Sequence, residues 1–320
     1  MVQCSRSLAM KVIYGLHADI APASAVTLGM FDGVHRGHQA LLAACRRHAD
    51  ALGVPAAALT YEPHPARVLR PDASVRLLTP LPEKIERLGH FGMDLVVIAE
   101  FTQAFSQLTP EQFLRDALNA AFHPRVVVAG YRTTFGHSRA GTAAVLRELG
   151  ERIGFAVEIV EPVEVAGAPV SSTRIRDCLD RGDVQTAAEL LGYHYRMTGT
   201  VTVGDGRGRA LGVPTANLEV HPEKLAPSDG IYAVDACQPG GGHRRGVMHI
   251  GERPVFGRPR ALEVHLLDFA GDLYLQPLTV MFLARLRDIR HFPDAASLVA
   301  QMREDIARAR ALDISPPDTE

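Results

Sequence analysis

Two hydrophobic grammars divide this chain. In the first half, short apolar runs alternate with stretches of helical spacing. Ala25–Leu28 predicts a strand that ends at Gly29, and from His38 to Leu52 the residues Leu41, Leu42, Cys45, Ala49 and Leu52 fall on one helical face. Val54–Tyr61 reads as the next strand and completes a β-α-β unit. Asp94–Ile98 and Arg125–Ala129 repeat the pattern, with a helix predicted over Pro110–Ala121. Nearly continuous apolar strands separated by helices predict a parallel sheet covered on both faces. In such sheets ligands sit beyond the carboxyl ends of the strands.

From about Tyr193 the strands follow one another without long helices. Thr198–Val203, Pro214–Val220, Gly230–Cys237, Gly246–Ile250, Ala261–Phe269 and Pro277–Phe282 are separated by glycine- and proline-rich turns. That pattern predicts a small antiparallel barrel. A last helix is predicted from about Asp294 to Ala311, with Leu298, Met302, Ile306 and Ala309 on its apolar face. The expected architecture is an α/β domain with a Rossmann-like parallel sheet over 1–186, a linker over 187–195, and a β-barrel domain with a C-terminal helix over 196–320.

Composition narrows the function classes. The 320 residues carry 34 Lys plus Arg against 36 Asp plus Glu, a net charge of −2, so no global field grips a nucleic-acid backbone. Any nucleotide is then small and locally held. The four cysteines, Cys4, Cys45, Cys178 and Cys237, are too far apart in sequence for a zinc ribbon or a thioredoxin-type pair. No run approaches the roughly 20 apolar residues that cross a bilayer. The expectation is a cytoplasmic protein without a membrane or nucleic-acid partner, with self-association left open.

The segment Gly29-Met30-Phe31-Asp32-Gly33-Val34-His35-Arg36-Gly37-His38 lies where a strand hands over to a helix. Glycines there let the backbone approach a ligand, and a helix N-terminus offers unpaired N–H groups to phosphate. His35 and His38, three apart, can face one phosphate and stabilise charge developing during attack on an α-phosphorus. The alternative is a turn with two surface histidines; the full glycine-rich setting favours the phosphate. A metal is less favoured, because no carboxylate or cysteine stands at ligand spacing. Later in the same half, Ser171, Ser172 and Thr173 precede Arg176. They read either as an ordinary helix cap or as a second phosphate wall.

The barrel half opens with Gly204-Asp205-Gly206-Arg207-Gly208-Arg209, a flexible hairpin or a cover for phosphates. Leu211-Gly212-Val213-Pro214-Thr215-Ala216-Asn217 follows, and Thr215 and Asn217 point to one side of an extended strand. Their neutral oxygens suit a Mg²⁺ that bridges phosphates. Glu263 is a lone carboxylate in an apolar strand, either a base for a hydroxyl proton or a barrel residue facing water. No Walker-type phosphate loop occurs.

These motifs resemble the bacterial bifunctional riboflavin kinase/FAD synthetase family over nearly the whole chain. The first half is similar to its nucleotidyltransferase module through residues 29–38 and Ser171-Ser172-Thr173-Arg174-Ile175-Arg176, with Tyr61-Glu62-Pro63-His64-Pro65 and Leu190-Leu191-Gly192 as further landmarks. The second half is similar to its riboflavin kinase barrel through Pro214-Thr215-Ala216-Asn217, Glu263-Val264-His265 and Asp268-Phe269. The resemblance implies two ATP-dependent reactions, riboflavin to FMN in the barrel and FMN to FAD with release of pyrophosphate in the other half. It implies Glu263 as base and Thr215 and Asn217 as Mg²⁺ ligands. Gly204, Gly208, Arg209 and Pro214 would help hold ATP or flavin in the kinase half. Gly29, Phe31, Asp32, Gly33, His35, His38, Ser171, Ser172, Thr173 and Arg176 would bind ATP in the other half.

Departures fall on acceptor-facing positions. Gly130-Tyr131-Arg132-Thr133-Thr134-Phe135-Gly136 has Arg132 at a polar or acidic position and Thr133 at an aromatic one. His249, Val255 and Leu275 replace Asn, Thr and Gly of the family pattern, and Ile289 stands at an acidic position. That pattern leaves open a paralogue with one activity weakened or a flavin analogue as acceptor, or a non-catalytic flavin- or nucleotide-binding regulator. The retained Thr215, Asn217, Glu263, His35 and His38 favour an enzyme, because pure binding requires no base.

Overall fold

A computed structural model describes residues 10–72, 74–203, 212–238, 241–251 and 260–313. Gly204, Gly208, Arg209 and Val255 lie outside the described residues. Packing divides the chain into two compact units, Met1–Val170 and Ser171–Glu320.

The first unit is built on six parallel strands: β1 (Lys11–Tyr14), β2 (Ser24–Leu28), β3 (Ala56–Glu62), β4 (Leu95–Glu100), β5 (Pro124–Gly130) and β6 (Ala156–Val160). Their order across the sheet is β1-β4-β3-β2-β5-β6. The central strands are buried on both faces. One layer packs on Val26, Leu59, Val97 and Val127, and the other on Ala25, Ala58, Val96 and Val128. Successive residues of each strand thus feed opposite layers, as the near-continuous apolar runs predict. Helix α1 (Arg36–Leu52) covers one face through Leu41, Leu42, Cys45 and Ala49 and stops at Gly53, whose φ of 65° is a left-handed cap. Chain order reverses between β2 and β5, so the loops after those two strands open at the switch point where such sheets hold ligands. The helical stretch expected over 110–121 forms, but with a π-helical centre from Phe113 to Asn119. A small hairpin, β7 (Glu164–Val165) with β8 (Ala168–Pro169), ends the unit.

The second unit begins with two helices, Ser172–Asp180 and Val184–Leu191, that lie against each other. Val184, Ala187, Leu190 and Leu191 are buried, and the Ser228 N–H donates to the Leu179 carbonyl (2.9 Å). The helical linker read over Ala187–Leu191 is a helix that begins at Val184 and packs against the rest of this unit. Six antiparallel strands follow: β9 (Arg196–Thr202), β10 (Ala216–Val220), β11 (Gly230–Cys237), β12 (Arg244–Gly251), β13 (Ala261–Leu266) and β14 (Pro277–Arg287). They close a barrel in the order β10-β13-β12-β11-β14-β9. The fifth strand of the expected pattern ends at Leu266 rather than Phe269, because Asp268 turns the chain with a φ of 55°. Leu275, where the family pattern has glycine, also takes a left-handed φ of 62° with its side chain exposed.

The terminal helix, Ala295–Ala311, covers Ile231, Ala233 and Leu286 with Ala309. It is locked by a buried ion pair: the Arg287 Nε donates to both Asp305 carboxylate oxygens (3.0 and 3.1 Å), and its Nη2 to Oδ2 (2.8 Å). Truncating one partner leaves the other charge buried alone, which costs more than the pair contributes. Asp305→Ala is expected to lower the stability of this unit by about 3–5 kcal/mol in denaturant unfolding of the full chain. A loss below about 1 kcal/mol would mean that Arg287 finds water instead.

Candidate active sites

The glycine-rich loop after β2 is held in a costly backbone shape. Phe31, Gly33 and Val34 have φ of 50°, 86° and 34°, a region that β-branched and aromatic residues rarely enter. Surrounding contacts hold it there. The Asp32 carboxylate accepts from the N–H groups of Leu78 (2.9 Å) and Thr79 (3.0 Å), and the Gly33 N–H donates to Thr79 Oγ1 (2.8 Å). Asp32, read from sequence as a nucleotide contact, is thus engaged in fixing the loop. Phe31 is fully buried, with its ring edge-on to His38 at 5.3 Å. A side chain on Gly29 would meet that ring at 3.4 Å, and one on Gly37 would meet the His35 ring at 3.2 Å.

The two histidines come together. Their rings stack at 3.7 Å and 15°, at the N-terminus of α1. His35 caps the helix: its Nδ1 accepts from the His38 N–H (3.4 Å), which leaves the ring proton of the neutral form on Nε2. His38 Nδ1 is buried without a hydrogen-bond partner. Burial, then His35 and Lys84, hold the His38 pKa well below 6.5, so this ring is neutral at pH 7. Buried polar atoms are normally paired, so an orphan at a helix N-terminus marks a place for a ligand.

Beside this loop a cleft of about 860 Å³ opens at the carboxyl ends of β2, β3, β4 and β5. Its wall includes Tyr61, Phe101, Phe105, Phe113 and Phe135, which touch in a chain of edge-on and tilted rings 5.7–6.0 Å apart. Burial raises the Tyr61 pKa, so its hydroxyl stays protonated. His64, Arg70, His137 and Arg139 also line the cleft, and no carboxylate does among the described residues. Sequence reasoning named Tyr61 only as a landmark and missed the aromatic wall, because its rings come from four separate segments.

The loop with sequence departures borders this cleft. Thr133 lines it, while its Oγ1 accepts from the Gly130 N–H (2.9 Å) and closes the turn. Arg132 is exposed, with its guanidinium 5.4 Å from the Tyr131 ring centre. Ser171 caps the helix Ser172–Asp180 by accepting from the Arg174 N–H (3.3 Å), and Ser172, Thr173 and Arg176 occupy its first turns. These four belong to the second unit.

In the barrel, register lines up a different group. Asn217 on β10 pairs with Glu263 on β13, and Glu263 pairs with His249 on β12. Laterally paired residues share a face, so amide, carboxylate and imidazole form one row across three strands. Asn217 is buried, while Glu263 and His249 are half-buried. Thr215 lies two residues before Asn217, half-buried, and Pro214 is exposed, with its carbonyl 2.8 Å from His265 Nδ1. Burial lowers the His249 pKa against the pull of Glu263 and Asp229. Ile289 lies against Gly251 and His249: a side chain on Gly251 would meet the Ile289 Cδ1 at 2.5 Å and His249 Nε2 at 2.9 Å.

Comparison with known proteins matches each unit separately. Residues 17–174 match the FAD synthetase family model, and residues 191–312 match the riboflavin kinase model. A bifunctional riboflavin kinase/FMN adenylyltransferase of Pseudomonas fluorescens is 38% identical over 95% of this chain and 98% of its own length. The protein of that name from Listeria monocytogenes is 36% identical over 94% of this chain and 98% of its own. A crystal structure from Streptococcus pneumoniae, described as a macrolide-efflux protein, superposes with a TM-score of 0.87 at 31% identity, covering 94% of this chain and 99% of that one. No helix among the described residues is long and apolar enough to cross a membrane.

Proposed function

The chain belongs to the bifunctional riboflavin kinase/FMN adenylyltransferase family, and from that premise we propose that it makes FMN from riboflavin and ATP and then FAD from FMN and ATP. The observation that carries this reading is the pairing of two differently built units, each with its own family match and its own polar site. The alternative of a non-catalytic binder has no observation in its favour.

In the barrel, Glu263 takes the proton of riboflavin's 5′-hydroxyl as the oxygen attacks the γ-phosphorus, and ADP leaves with the electron pair of the broken bridge bond. Thr215 and Asn217 offer neutral hydroxyl and amide oxygens, and no cluster of three acidic, His or Cys ligands exists among the described residues. That donor set fits Mg²⁺, a hard cation satisfied by phosphate and neutral oxygens. When bound, Mg²⁺ supplies charge neutralisation at the triphosphate.

In the first unit, the FMN phosphate attacks the α-phosphorus of ATP, forming the new P–O–P link and expelling pyrophosphate. His35, His38 and the N–H groups at the start of α1 steady the triphosphate. Ser171, Ser172, Thr173 and Arg176, at the start of the helix Ser172–Asp180, offer hydroxyls and a guanidinium suited to nucleotide phosphates. The aromatic cleft takes the flavin ring system, and its cationic rim suits the phosphate of FMN. The reaction needs orientation and charge stabilisation only. A cytoplasmic location fits these substrates.

Incubation with ATP, Mg²⁺ and riboflavin, and separately with FMN, tests the reading, with products resolved by chromatography. FMN and FAD are expected, and absence of either removes that activity from the proposal. The departures at 132 and 133 divide in the same assay. Thr133→Phe is expected to improve the apparent affinity for FMN about fivefold, since one added ring contact is worth about 1 kcal/mol. Arg132→Asp should change FAD formation less than about twofold, because its guanidinium lies over Tyr131. The reverse order would place Arg132, not Thr133, against the flavin.

A further inference from the structure

One buried charge beside the histidine loop is used by none of the steps above. Lys84 lies on helix Leu81–His90, on the face shared by Leu81, Ile85 and Leu88, and only 4% of it is exposed. Its Nζ donates to the Met30 carbonyl (3.3 Å) and to Thr60 Oγ1 (3.3 Å), and Thr60 Oγ1 in turn donates to the same carbonyl (3.2 Å). Met30 immediately precedes Phe31, whose ring abuts His38. The lysine therefore grips the loop one residue before the histidine platform, while Leu78 and Thr79 grip it at Asp32 and Gly33.

An ammonium in the interior is expensive unless a counter-charge or a function offsets it. Lys84 has two long hydrogen bonds and no ion pair among the described residues. The carboxylates in its field are Asp32, already held by backbone N–H groups, and Glu62 at the end of β3. Its positive field falls on His38, which also feels His35 stacked against it. A fold that needed only a tether here has cheaper choices, such as a threonine or a glutamine.

We infer that Lys84 is a positioning residue of the adenylyltransferase half, the buried cation that ties the histidine loop to the sheet and sets the charge field in which His35 and His38 meet a triphosphate. The inference rests on the adenylyltransferase reading above. Its physical content is a division of labour. His38 acts as a neutral hydrogen-bonding ring, and the lysine supplies the positive charge, even though burial lowers its pKa. ATP binding there then draws on a fixed cation, and FAD formation has no acid limb arising from His38 near pH 6.5.

Two variants of the full chain separate tether from charge. Lys84→Gln keeps donors for Met30 and Thr60 and removes the charge; Lys84→Met removes both. With Lys84→Gln, turnover in FAD formation is expected to fall about tenfold, and with Lys84→Met about a hundredfold. FMN formation from riboflavin, made by the other unit, should be unchanged in both. Loss of the neighbouring cation also favours protonated His38. The acid limb of FAD formation, and the His38 ring titration followed by NMR of ¹³C-histidine protein, should both move to higher pH in both variants. A Lys84→Gln protein with wild-type turnover, acid limb and His38 titration would overturn the inference. If the variants do not fold, the wild type still decides: a His38 ring that protonates near 6.5 would overturn it, and one that stays neutral well below supports it. A wild type that makes no FAD would instead overturn the reading on which the inference rests.

Discussion

Glu263→Gln is expected to cut FMN formation by roughly 10²–10⁴-fold while leaving FAD formation from supplied FMN intact. The substitution keeps shape and hydrogen-bonding capacity and removes only the basic oxygen. Glu263 stands in the middle of a lateral row, between Asn217 on one neighbouring strand and His249 on the other. It is half-buried, so substrate can reach it while water is partly excluded. Asn217, buried on the next strand, would on the proposed reading hold a phosphate-facing oxygen at a set distance from the base. Neutral Gln in this row cannot accept the hydroxyl proton, and the attacking oxygen stays a weak nucleophile. Turnover should fall with little change in the apparent affinity for ATP. Near wild-type FMN formation would remove Glu263 from the mechanism and turn attention to His249 as the proton acceptor.

The second large effect is expected from His38→Ala, a loss of roughly 10²–10³-fold in FAD formation with the kinase step spared. The ring lies at a helix N-terminus, stacked on His35, with a buried nitrogen that no protein group satisfies. Such an atom is costly in the free protein, and on the proposed reading its partner is the substrate. Its protonation also bears on stability. The unfolded chain binds a proton at this residue near pH 6.5, whereas the folded chain binds it only at lower pH, because burial lowers the pKa. The first unit should therefore lose stability as pH falls through about 6.5, and His38→Ala should flatten that dependence. A first unit that unfolds independently of pH between 7 and 5 in both proteins would contradict the neutral-ring account.

Much of this was legible in the sequence because the signals were local. Alternation of strand and helix periods identifies the parallel sheet, and glycine spacing around His35 and His38 identifies the turn at its switch point. All six barrel strands follow from short apolar runs between turn residues. What escaped was non-local. The aromatic wall is assembled from Tyr61, Phe101, Phe105, Phe113 and Phe135, which share no periodicity. Lys84 left a faint signal, a lysine three residues after Leu81 and four before Leu88, on the apolar side of its helix. Asp32 shows a structural role the motif did not announce: its Oδ1 accepts from the Leu78 and Thr79 amides, which are far along the chain. Strand β1 was missed because four residues with exposed Lys11 and Tyr14 at its ends carry almost no apolar pattern. The helix read as a helical linker over Ala187–Leu191 begins three residues earlier, at Val184, and its burial against the barrel depends on partners far along the chain.

Closure of the barrel has a further consequence for how the two units fail. Every described strand of the barrel has neighbours on both sides, so among the described strands no row of backbone donors and acceptors is left to template pairing with another chain. The open sheet of the first unit ends in β1 on one side and β6 on the other. Both margins carry charge: Lys11 opens β1, and Glu158 in β6 is clasped by Arg47 and His48 from α1. Charged edge residues act as gatekeepers against sheet-to-sheet growth. The burden of staying monodisperse during synthesis and heat stress therefore falls on those two margins, and the adenylyltransferase half is the one that aggregation threatens first.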